Sequence, residues 1–203
     1  MTNDPALAIY AANAGAMARR YDSVTTDSLL SGLADLIPAP PAAVLDIGAG
    51  SGRDTAWFQS RGHRVTAAEP VAAFRQMIAL RVPAATVMAS ALPDLVGLSG
   101  HHDLILVNAV WHHLAPRARD QALARLTNLL APGGRVFLAL RRGPVPPGAP
   151  LHDLDPQTEI ARVATAGLTL LRRHDAPAHD ADTAAAGISW TWLALTMDRD
   201  NDQ

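Results

Sequence analysis

Cysteine and lysine are both absent from this chain of 203 residues, and aromatic residues make up only 4% of it. Without cysteine, the chain has no disulfide, no thiolate metal site and no cysteine nucleophile, a composition that fits a reducing compartment. No apolar run approaches the ~20 residues that a bilayer span needs. The first positive charges, Arg19 and Arg20, follow an apolar stretch, whereas a secretory signal places them before it. We therefore expect a cytoplasmic protein with no membrane segment.

A large excess of charge of either sign is also lacking. Arginine supplies all 17 basic residues against 19 acidic ones, and the formal net charge is −2. Because a phosphate backbone attracts a strongly basic surface, we expect no nucleic-acid partner. The content of 49% hydrophobic and 18% charged residues is typical of a globular protein, and the length suits one domain. We expect a single domain over residues 1–203, with 1–37 as a helical cap segment, in a monomer or homodimer.

Apolar runs alternate with helical patterns through the middle of the chain. Strands are predicted at 43–47, 63–69, 85–90, 102–110 and 135–141, and helices at 53–62, 71–81 and 117–134 between them. Two further helices, from 5 to about 20 and over 28–37, come before the first strand. This alternation predicts a doubly wound α/β fold, with a mostly parallel sheet and helices on both faces.

The C-terminal part has a different pattern. A helix is predicted over 155–167, followed by strands at 168–175 and 187–196. The segment that joins these two strands lacks periodicity, so we expect no helix between them. Consecutive strands joined by a loop pair antiparallel, which gives a seven-stranded sheet with an antiparallel hairpin at its edge.

Three glycines, Gly48, Gly50 and Gly52, follow the first predicted strand, and Asp46 lies at the end of that strand. Glycines between a strand and a helix let the backbone approach a ligand closely. A pyrophosphate beside Asp46 would lose on the order of 1 to 4 kcal/mol to like-charge repulsion at ~4 Å. Arg53 also stands where a dinucleotide-binding loop has its third glycine, which disfavours an NAD-linked oxidoreductase. A ligand with positive charge, a ribose and no phosphate suits this loop, and Glu69 after the second strand suits ribose hydroxyls.

The run LDIGAGSGRD resembles the first motif of the class I (Rossmann-like) S-adenosylmethionine-dependent methyltransferases. The resemblance continues through HRVTAAEP, HHDLILVNAVWHHL and LTNLLAPGGRVFLAL, and covers roughly residues 40 to 140 in the expected order. It implies a Rossmann-like domain ending in an antiparallel hairpin, S-adenosylmethionine as cofactor, and methyltransferase activity.

The resemblance also implies a set of cofactor-binding residues. They are Tyr21, Asp46, Gly48, Ala49, Gly50, Gly52, Arg53, Glu69, Pro70, Ser90, Ala91, Leu92 and Asn108. Asp46 is expected to orient the amino acid end of the cofactor. Ser90 replaces an aspartate that such proteins often carry near the adenine amino group, and Asp94 is the alternative contact. Tyr10 and Tyr21 are expected either to form a lid or to pack in the core.

His112 and His113 follow the fourth predicted strand, at the end of a sheet where ligands of such folds bind. Either imidazole is a candidate general base, and the alternative is a structural role at the start of a helix. We expect no metal site, because adjacent histidines rarely chelate one ion and no further ligand follows at helical spacing. Trp190 and Trp192 are expected to lie in the core.

The expected acceptor is a small molecule that takes the methyl group on oxygen, nitrogen or sulfur. Residues that could line a site for an acidic acceptor are Arg141, Arg142, His152, His174 and His179. The motif Asn-Pro-Pro-Tyr, which marks methylation of adenine or glutamine amides, is replaced by NAVW. The alternative function is a catalytically silent regulatory protein that binds S-adenosylmethionine or S-adenosylhomocysteine.

Overall fold

The protein is described by a computed structural model that covers residues 5–146, 148–178 and 181–197. The helices are α1 (Pro5–Asp22), α2 (Thr26–Leu29), α3 (Arg53–Ser60), α4 (Ala72–Arg81), α5 (Pro116–Leu129), α6 (Pro156–Thr165) and α7 (Ala181–Ala185). Short 3-10 turns span Ser31–Leu36 and Trp111–His113. The strands are β1 (Ala43–Ile47), β2 (Arg64–Ala68), β3 (Thr86–Met88), β4 (His102–Val107), β5 (Leu130–Arg142), β6 (Leu168–Ala176) and β7 (Ser189–Met197).

Seven strands form one mixed sheet in the order β3-β2-β1-β4-β5-β7-β6. The first five strands are parallel to one another, and β7 pairs antiparallel with both β5 and β6. The predicted doubly wound sheet with an antiparallel terminal hairpin is therefore confirmed. The strands before β4 are added on one side of β1, and β4 and β5 are added on its other side. At this switch the carboxyl ends of the parallel strands β1 and β4 form a crevice, which is where ligands of α/β proteins bind.

Side chains alternate between the two faces of the sheet, and each face is covered by helices. On β4, Ile105 and Val107 pack on one face with the apolar stripe of α5, whereas Leu104 and Leu106 pack on the other face with Phe58 of α3. The same alternation on β1 places Asp46 on the α3 face. None of the helices among the described residues has the length and hydropathy of a membrane span.

Several predicted elements differ from the structure, and three of the differences have a clear physical reason. The single helix predicted over 28–37 is instead α2 followed by a 3-10 turn, and Gly32 in that turn lies so close to the His174 ring that a Cβ would come within 2.3 Å of it. The helix predicted to reach 134 ends at Leu129, because Leu130 already pairs with His102 of β4. A short helix, α7, also stands between β6 and β7, where an alanine-rich run overrides the expected loop.

Candidate cofactor and acceptor site

The glycine loop between β1 and α3 has a backbone that only glycine adopts without strain. Gly48, Gly50 and Gly52 have φ values of +69°, +53° and +77°. A Cβ on Gly48 would lie 2.3 Å from Cγ2 of Val110, and one on Gly50 would lie 3.2 Å from the Tyr21 ring. The loop is therefore a cradle whose inner surface is backbone, closed in by Val110 and Tyr21.

Glu69 follows β2 and holds this loop by its carboxylate. Its Oε2 accepts a hydrogen bond from the Gly50 N–H at 2.9 Å, and its Oε1 accepts one from the Val71 N–H at 2.7 Å. Burial raises the pKa of Glu69 above its ordinary value, although these two backbone N–H groups and Arg75 act in the opposite direction. The carboxylate lies at the cavity wall, beside the loop, as its predicted role requires.

Asp46 lies beneath the glycine loop and is not among the residues that line the cavity, although the resemblance implies that it orients the amino acid end of the cofactor. It is 1% exposed, and its Oδ2 accepts a hydrogen bond of 2.6 Å from the Thr55 hydroxyl of α3. Burial, with the nearby Asp54 charge, raises the pKa of Asp46 to about 7. The strand alternation explains the position, because it directs this side chain to α3 rather than to the ligand crevice.

Asp54 is the centre of a polar network under the cavity. The guanidinium of Arg53 donates to both of its carboxylate oxygens at 2.8 Å, and the Thr26 hydroxyl and Asn108 amide donate at 2.6 and 2.9 Å. Burial alone would raise the pKa of Asp54, but Arg53 and these hydrogen bonds lower it. Arg53 and Asn108, both predicted site residues, are thus brought together by the Asp54 carboxylate.

A cavity of about 450 Å³ lies over the carboxyl ends of β1, β2, β4 and β5. The predicted site residues that line it are Tyr21, Gly48, Ala49, Gly50, Arg53, Glu69, Pro70, Ala91, Leu92, Asn108, His112 and His113. Three predicted site residues do not line the cavity: Asp46, Gly52 and Ser90. The Ser90 hydroxyl instead donates to the Val96 carbonyl at 2.9 Å, which directs it away from the role expected of it.

The N-terminal helix α1 covers the cavity on the side of the glycine loop. The hydrophobic pattern of the sequence does not predict the contacts that hold this helix in place. Tyr10 and Tyr21 both line the cavity. The Ser51 hydroxyl donates to Asp22 at 2.7 Å, and Arg53 Nη1 donates to the Tyr21 carbonyl at 2.7 Å. The last turn of α1 is therefore hydrogen-bonded to the glycine loop and to the start of α3.

The 3-10 turn Trp111–His113 forms another part of the wall. The Tyr10 hydroxyl lies 3.0 Å from Nε2 of His113, and Nδ1 of His113 lies 3.3 Å from the Pro150 carbonyl. His112 is 5% exposed and its Nδ1 is buried without a hydrogen-bond partner. Burial, and then the charges of His113, Arg141 and Arg119, hold the pKa of His112 well below its usual range. The two adjacent histidines thus have different environments.

A buried ion pair holds this turn from behind. The Trp111 indole N–H and Nη1 of Arg119 each donate to the Glu159 carboxylate at 2.8 Å. Trp111, Arg119 and Glu159 are all buried. This anchor links α5 and α6 to the residue that precedes His112.

Of the residues proposed for an acceptor site, Arg141 lines the cavity. Arg142 pairs with Asp175, His152 is exposed, and His174 packs against Gly32. His179 lies outside the described residues. Trp192 is in the core as expected, but Trp190 lines the cavity, as do Val71 and Phe74, which the sequence patterns did not indicate.

The lining fits a nucleoside that carries positive charge. The glycine cradle admits a group against backbone, Glu69 supplies carboxylate oxygens beside it, and Phe74, Ala91 and Leu92 supply an apolar surface. The volume lies within the range of about 300–1,000 Å³ that is usual for small-molecule sites.

Comparisons with known proteins agree with this geometry. Residues 44–134 match the family model described as a methyltransferase domain. An uncharacterised methyltransferase of Mycobacterium tuberculosis is 29% identical over 103 residues, 51% of this chain and 41% of that protein. One of Geobacillus kaustophilus is 31% identical over 114 residues, 56% of this chain and 52% of that protein. The chain thus spans about half the length of the curated relatives it matches.

Solved structures extend the similarity to nearly the whole chain. The 1,6-didemethyltoxoflavin-N1-methyltransferase of Burkholderia thailandensis, solved with 1,6-didemethyltoxoflavin and S-adenosylhomocysteine, has a TM-score of 0.74 and 25% identity over 95% of this chain and 87% of its own. A TehB-like methyltransferase of Corynebacterium glutamicum shares the fold, with a TM-score of 0.69 and 17% identity over 92% of this chain and 99% of its own. The matched methyltransferase domain, the curated relatives and the shared fold together support a class I S-adenosylmethionine-dependent methyltransferase, and the S-adenosylmethionine or S-adenosylhomocysteine in solved neighbours is consistent with that cofactor.

Proposed function

We propose that this chain transfers the methyl group of S-adenosylmethionine to an oxygen, nitrogen or sulfur atom of a small-molecule acceptor. One observation carries the proposal: a single cavity joins the glycine cradle and Glu69 to the turn that bears His112 and His113. The similar Burkholderia thailandensis enzyme is a 1,6-didemethyltoxoflavin methyltransferase solved with that small molecule, which supports the same class of acceptor here. Cytoplasmic location and a monomeric or homodimeric state remain predictions.

Binding of the cofactor would use the cradle and the groups around it. The glycine loop would receive the amino acid end, and the Glu69 carboxylate would accept the ribose hydroxyl protons. When bound, the cofactor supplies an electrophilic methyl group on a positively charged sulfur. The remaining requirements are alignment and exclusion of water, and α1 covers the cavity on the side of the loop.

Deprotonation of the acceptor would fall to the histidine turn. His112 is neutral at physiological pH, because its pKa lies well below the usual range. A neutral imidazole beside the acceptor accepts a proton from an O–H or N–H group as the methyl group arrives.

Calorimetric titration with S-adenosylmethionine and S-adenosylhomocysteine tests the cofactor half of the proposal. We expect both to bind, and Glu69→Gln to weaken binding by roughly 10-fold or more, since hydrogen bonds to a charged group contribute about 1.5–3 kcal/mol. Asp35→Asn, which changes an exposed acid paired with Arg172, is the matched control and should bind normally. Absence of binding below millimolar concentration would reject the proposal.

Methyl transfer itself is tested with radiolabelled S-adenosylmethionine and a panel of small metabolites. Turnover of an acceptor supports the enzyme. Cofactor binding without turnover on any acceptor would instead favour the catalytically silent regulatory protein, an alternative that fits the diversion of the Ser90 hydroxyl to Val96.

A further inference from the structure

The cavity wall at the ends of β5 and β7 differs in chemistry from the wall at the glycine loop. Among the described residues that line the cavity, Asp54 and Glu69 are the acidic ones, and both make hydrogen bonds with the loop or with Arg53. The opposite wall carries Arg141, whose cross-strand partner is Trp190. The Trp190 ring in turn lies edge-on to His112, with centroids 6.1 Å apart. We call His112, Arg141 and Trp190 the acceptor wall.

His112 supplies this wall with a neutral acceptor of hydrogen bonds. Its Nδ1 is buried and unpartnered, whereas both ring nitrogens of its neighbour His113 lie within hydrogen-bond distance of Tyr10 and Pro150. Most buried polar atoms in folded proteins have a hydrogen-bond partner, and an unpartnered one on a residue that lines a cavity is consistent with a catalytic role. Of the two candidate bases, His112 is therefore the one that lines the cavity without a side-chain hydrogen bond to the described part of the chain.

Arg141 supplies positive charge. Its guanidinium donates to the carbonyls of Gly143 and Pro144 at 3.3 and 2.9 Å, which fixes it against the wall. In the described part of the chain no carboxylate forms a contact ion pair with it, and Asp153 acts only as a more distant opposing charge. A guanidinium in this setting favours an anion or a group that is losing a proton.

We infer, on the basis of the proposed methyltransferase function, that the acceptor is a flat ring compound with a weakly acidic O–H or N–H group, such as a phenol or an N–H heteroaromatic. The ring would contact Trp190. Its acidic proton would face His112, and the charge left behind would face Arg141. An aliphatic ammonium group is disfavoured, because it would meet Arg141 with no lining carboxylate on that wall.

The transfer balances with these groups. A lone pair on the acceptor oxygen or nitrogen forms the new bond to the methyl carbon, and the carbon–sulfur bond breaks with its electron pair on sulfur. The sulfur becomes an uncharged thioether. The acceptor proton passes to His112 and from there to water, so the positive charge of the sulfonium leaves as that proton.

Ring compounds of similar size separate this inference from the proposed function. The probes are 4-nitrophenol, which ionises near neutral pH, 4-methylphenol, which does not, and 2-phenylethylamine, which is cationic. We expect radiolabelled methyl transfer to both phenols with at least about tenfold higher kcat/KM than to the amine, that is, about 1.4 kcal/mol of discrimination. Failure of S-adenosylhomocysteine to bind would reject the proposed function. Normal binding of S-adenosylhomocysteine with no transfer to either phenol, or with a preference for the amine, would overturn the inference alone.

Variants of the acceptor wall test the roles of its residues. His112→Gln should lower kcat on 4-methylphenol by about 100-fold, within the usual contribution of a general base, with a much smaller effect on 4-nitrophenol, which needs no base. Arg141→Gln should raise KM for both phenols by about tenfold. Arg142→Gln is the matched control, because the adjacent side chain on β5 points to the other face and pairs with Asp175.

The binding of S-adenosylhomocysteine monitors the fold of each variant. It should be unchanged in all three variants, because the substitutions lie away from the glycine loop. Equal losses on the two phenols in His112→Gln would overturn its assignment as base. An Arg141→Gln variant that behaves like Arg142→Gln would overturn the charge argument.

Discussion

Replacement of Asp46 by asparagine is expected to stabilise the ligand-free protein at alkaline pH and to lower its affinity for a cationic cofactor. The side chain is 1% exposed and accepts one hydrogen bond from Thr55. Asparagine has nearly the same shape and keeps an oxygen for that bond, but it carries no charge. The substitution therefore removes a buried negative charge with little change in packing.

The magnitude follows from the difference in pKa between the folded and unfolded chains. Burial raises the pKa of Asp46 from 3.8 to about 7. A carboxyl group whose pKa is raised by folding binds its proton more tightly in the folded state, so the stability of the wild type falls as the pH rises from 3.8 through 7. By this linkage, asparagine should gain about 2 kcal/mol at pH 5 and about 4 kcal/mol at pH 8 relative to the wild type.

Urea denaturation of both proteins at pH 5 and pH 8 measures this effect. Effects of the new amide that do not depend on pH, such as an unpartnered N–H, cancel when the two stability differences are compared. Thr55→Val serves as a control that removes the hydrogen bond and retains the charge. A stability difference that is the same at the two pH values, or a wild type that is the more stable protein at pH 8, would refute the reasoning.

The same variant tests whether the buried carboxylate attracts the cofactor. S-adenosylmethionine carries a sulfonium charge that S-adenosylhomocysteine lacks. An attraction on the order of 1 to 2 kcal/mol, reasonable at an effective dielectric constant of about 20, corresponds to about tenfold in affinity. Asp46→Asn should therefore weaken S-adenosylmethionine about tenfold and S-adenosylhomocysteine much less. Equal changes for the two ligands would contradict the electrostatic role of Asp46.

Three further predictions concern the loop, the buried ion pair and acid stability. Gly48→Ala should lower stability by more than the ~1–2 kcal/mol of left-handed strain, because its Cβ would meet Val110; Gly100→Ala, with φ +84° and open space, should show the strain alone in parallel thermal melts. Glu159→Gln should cost about 3–5 kcal/mol in urea denaturation, since it leaves Arg119 buried without its partner, and a loss under 1 kcal/mol would contradict this. Burial lowers the pKa of His102, so the unfolded chain binds more protons below about 6.5 and stability falls as the pH falls. His102→Leu should therefore lose less stability than the wild type between pH 7 and pH 5.

The fold was predictable because its elements follow simple periods. Runs such as 43–47 and 102–110 are largely apolar, as in strands that are buried on both faces, and helical patterns separate them. The boundaries that failed depend on contacts from distant parts of the chain. Leu130 is a strand residue because His102 lies beside it, and the turn at Gly32 is shaped by the His174 ring. No local pattern carries that information.

The part of the site that is formed by backbone, the glycine loop, could be predicted from the sequence. The part that depends on the direction of individual side chains was harder to predict. Gly48 and Gly50 have positive φ values, which glycine adopts without strain, and their backbone faces the cavity as the glycine pattern predicts. Asp46 and Ser90, by contrast, occupy plausible positions along the chain, yet each side chain is used inside the protein, by Thr55 and by the Val96 carbonyl. A sequence motif locates a residue along the chain. Whether its side chain reaches a ligand depends on the groups that surround it in the folded protein.

In the proposed acceptor site, much of the lining comes from segments outside the family match. The matched residues 44–134 contain the glycine loop, Glu69 and the histidine turn. Tyr10 on α1, and Arg141 and Trp190 on the terminal strands, lie beyond that range, and all three line the cavity. Because the family match does not extend to these three residues, the acceptors of relatives need not agree with this one. The chemistry of the acceptor is therefore better argued from His112, Arg141 and Trp190 than from the names of relatives.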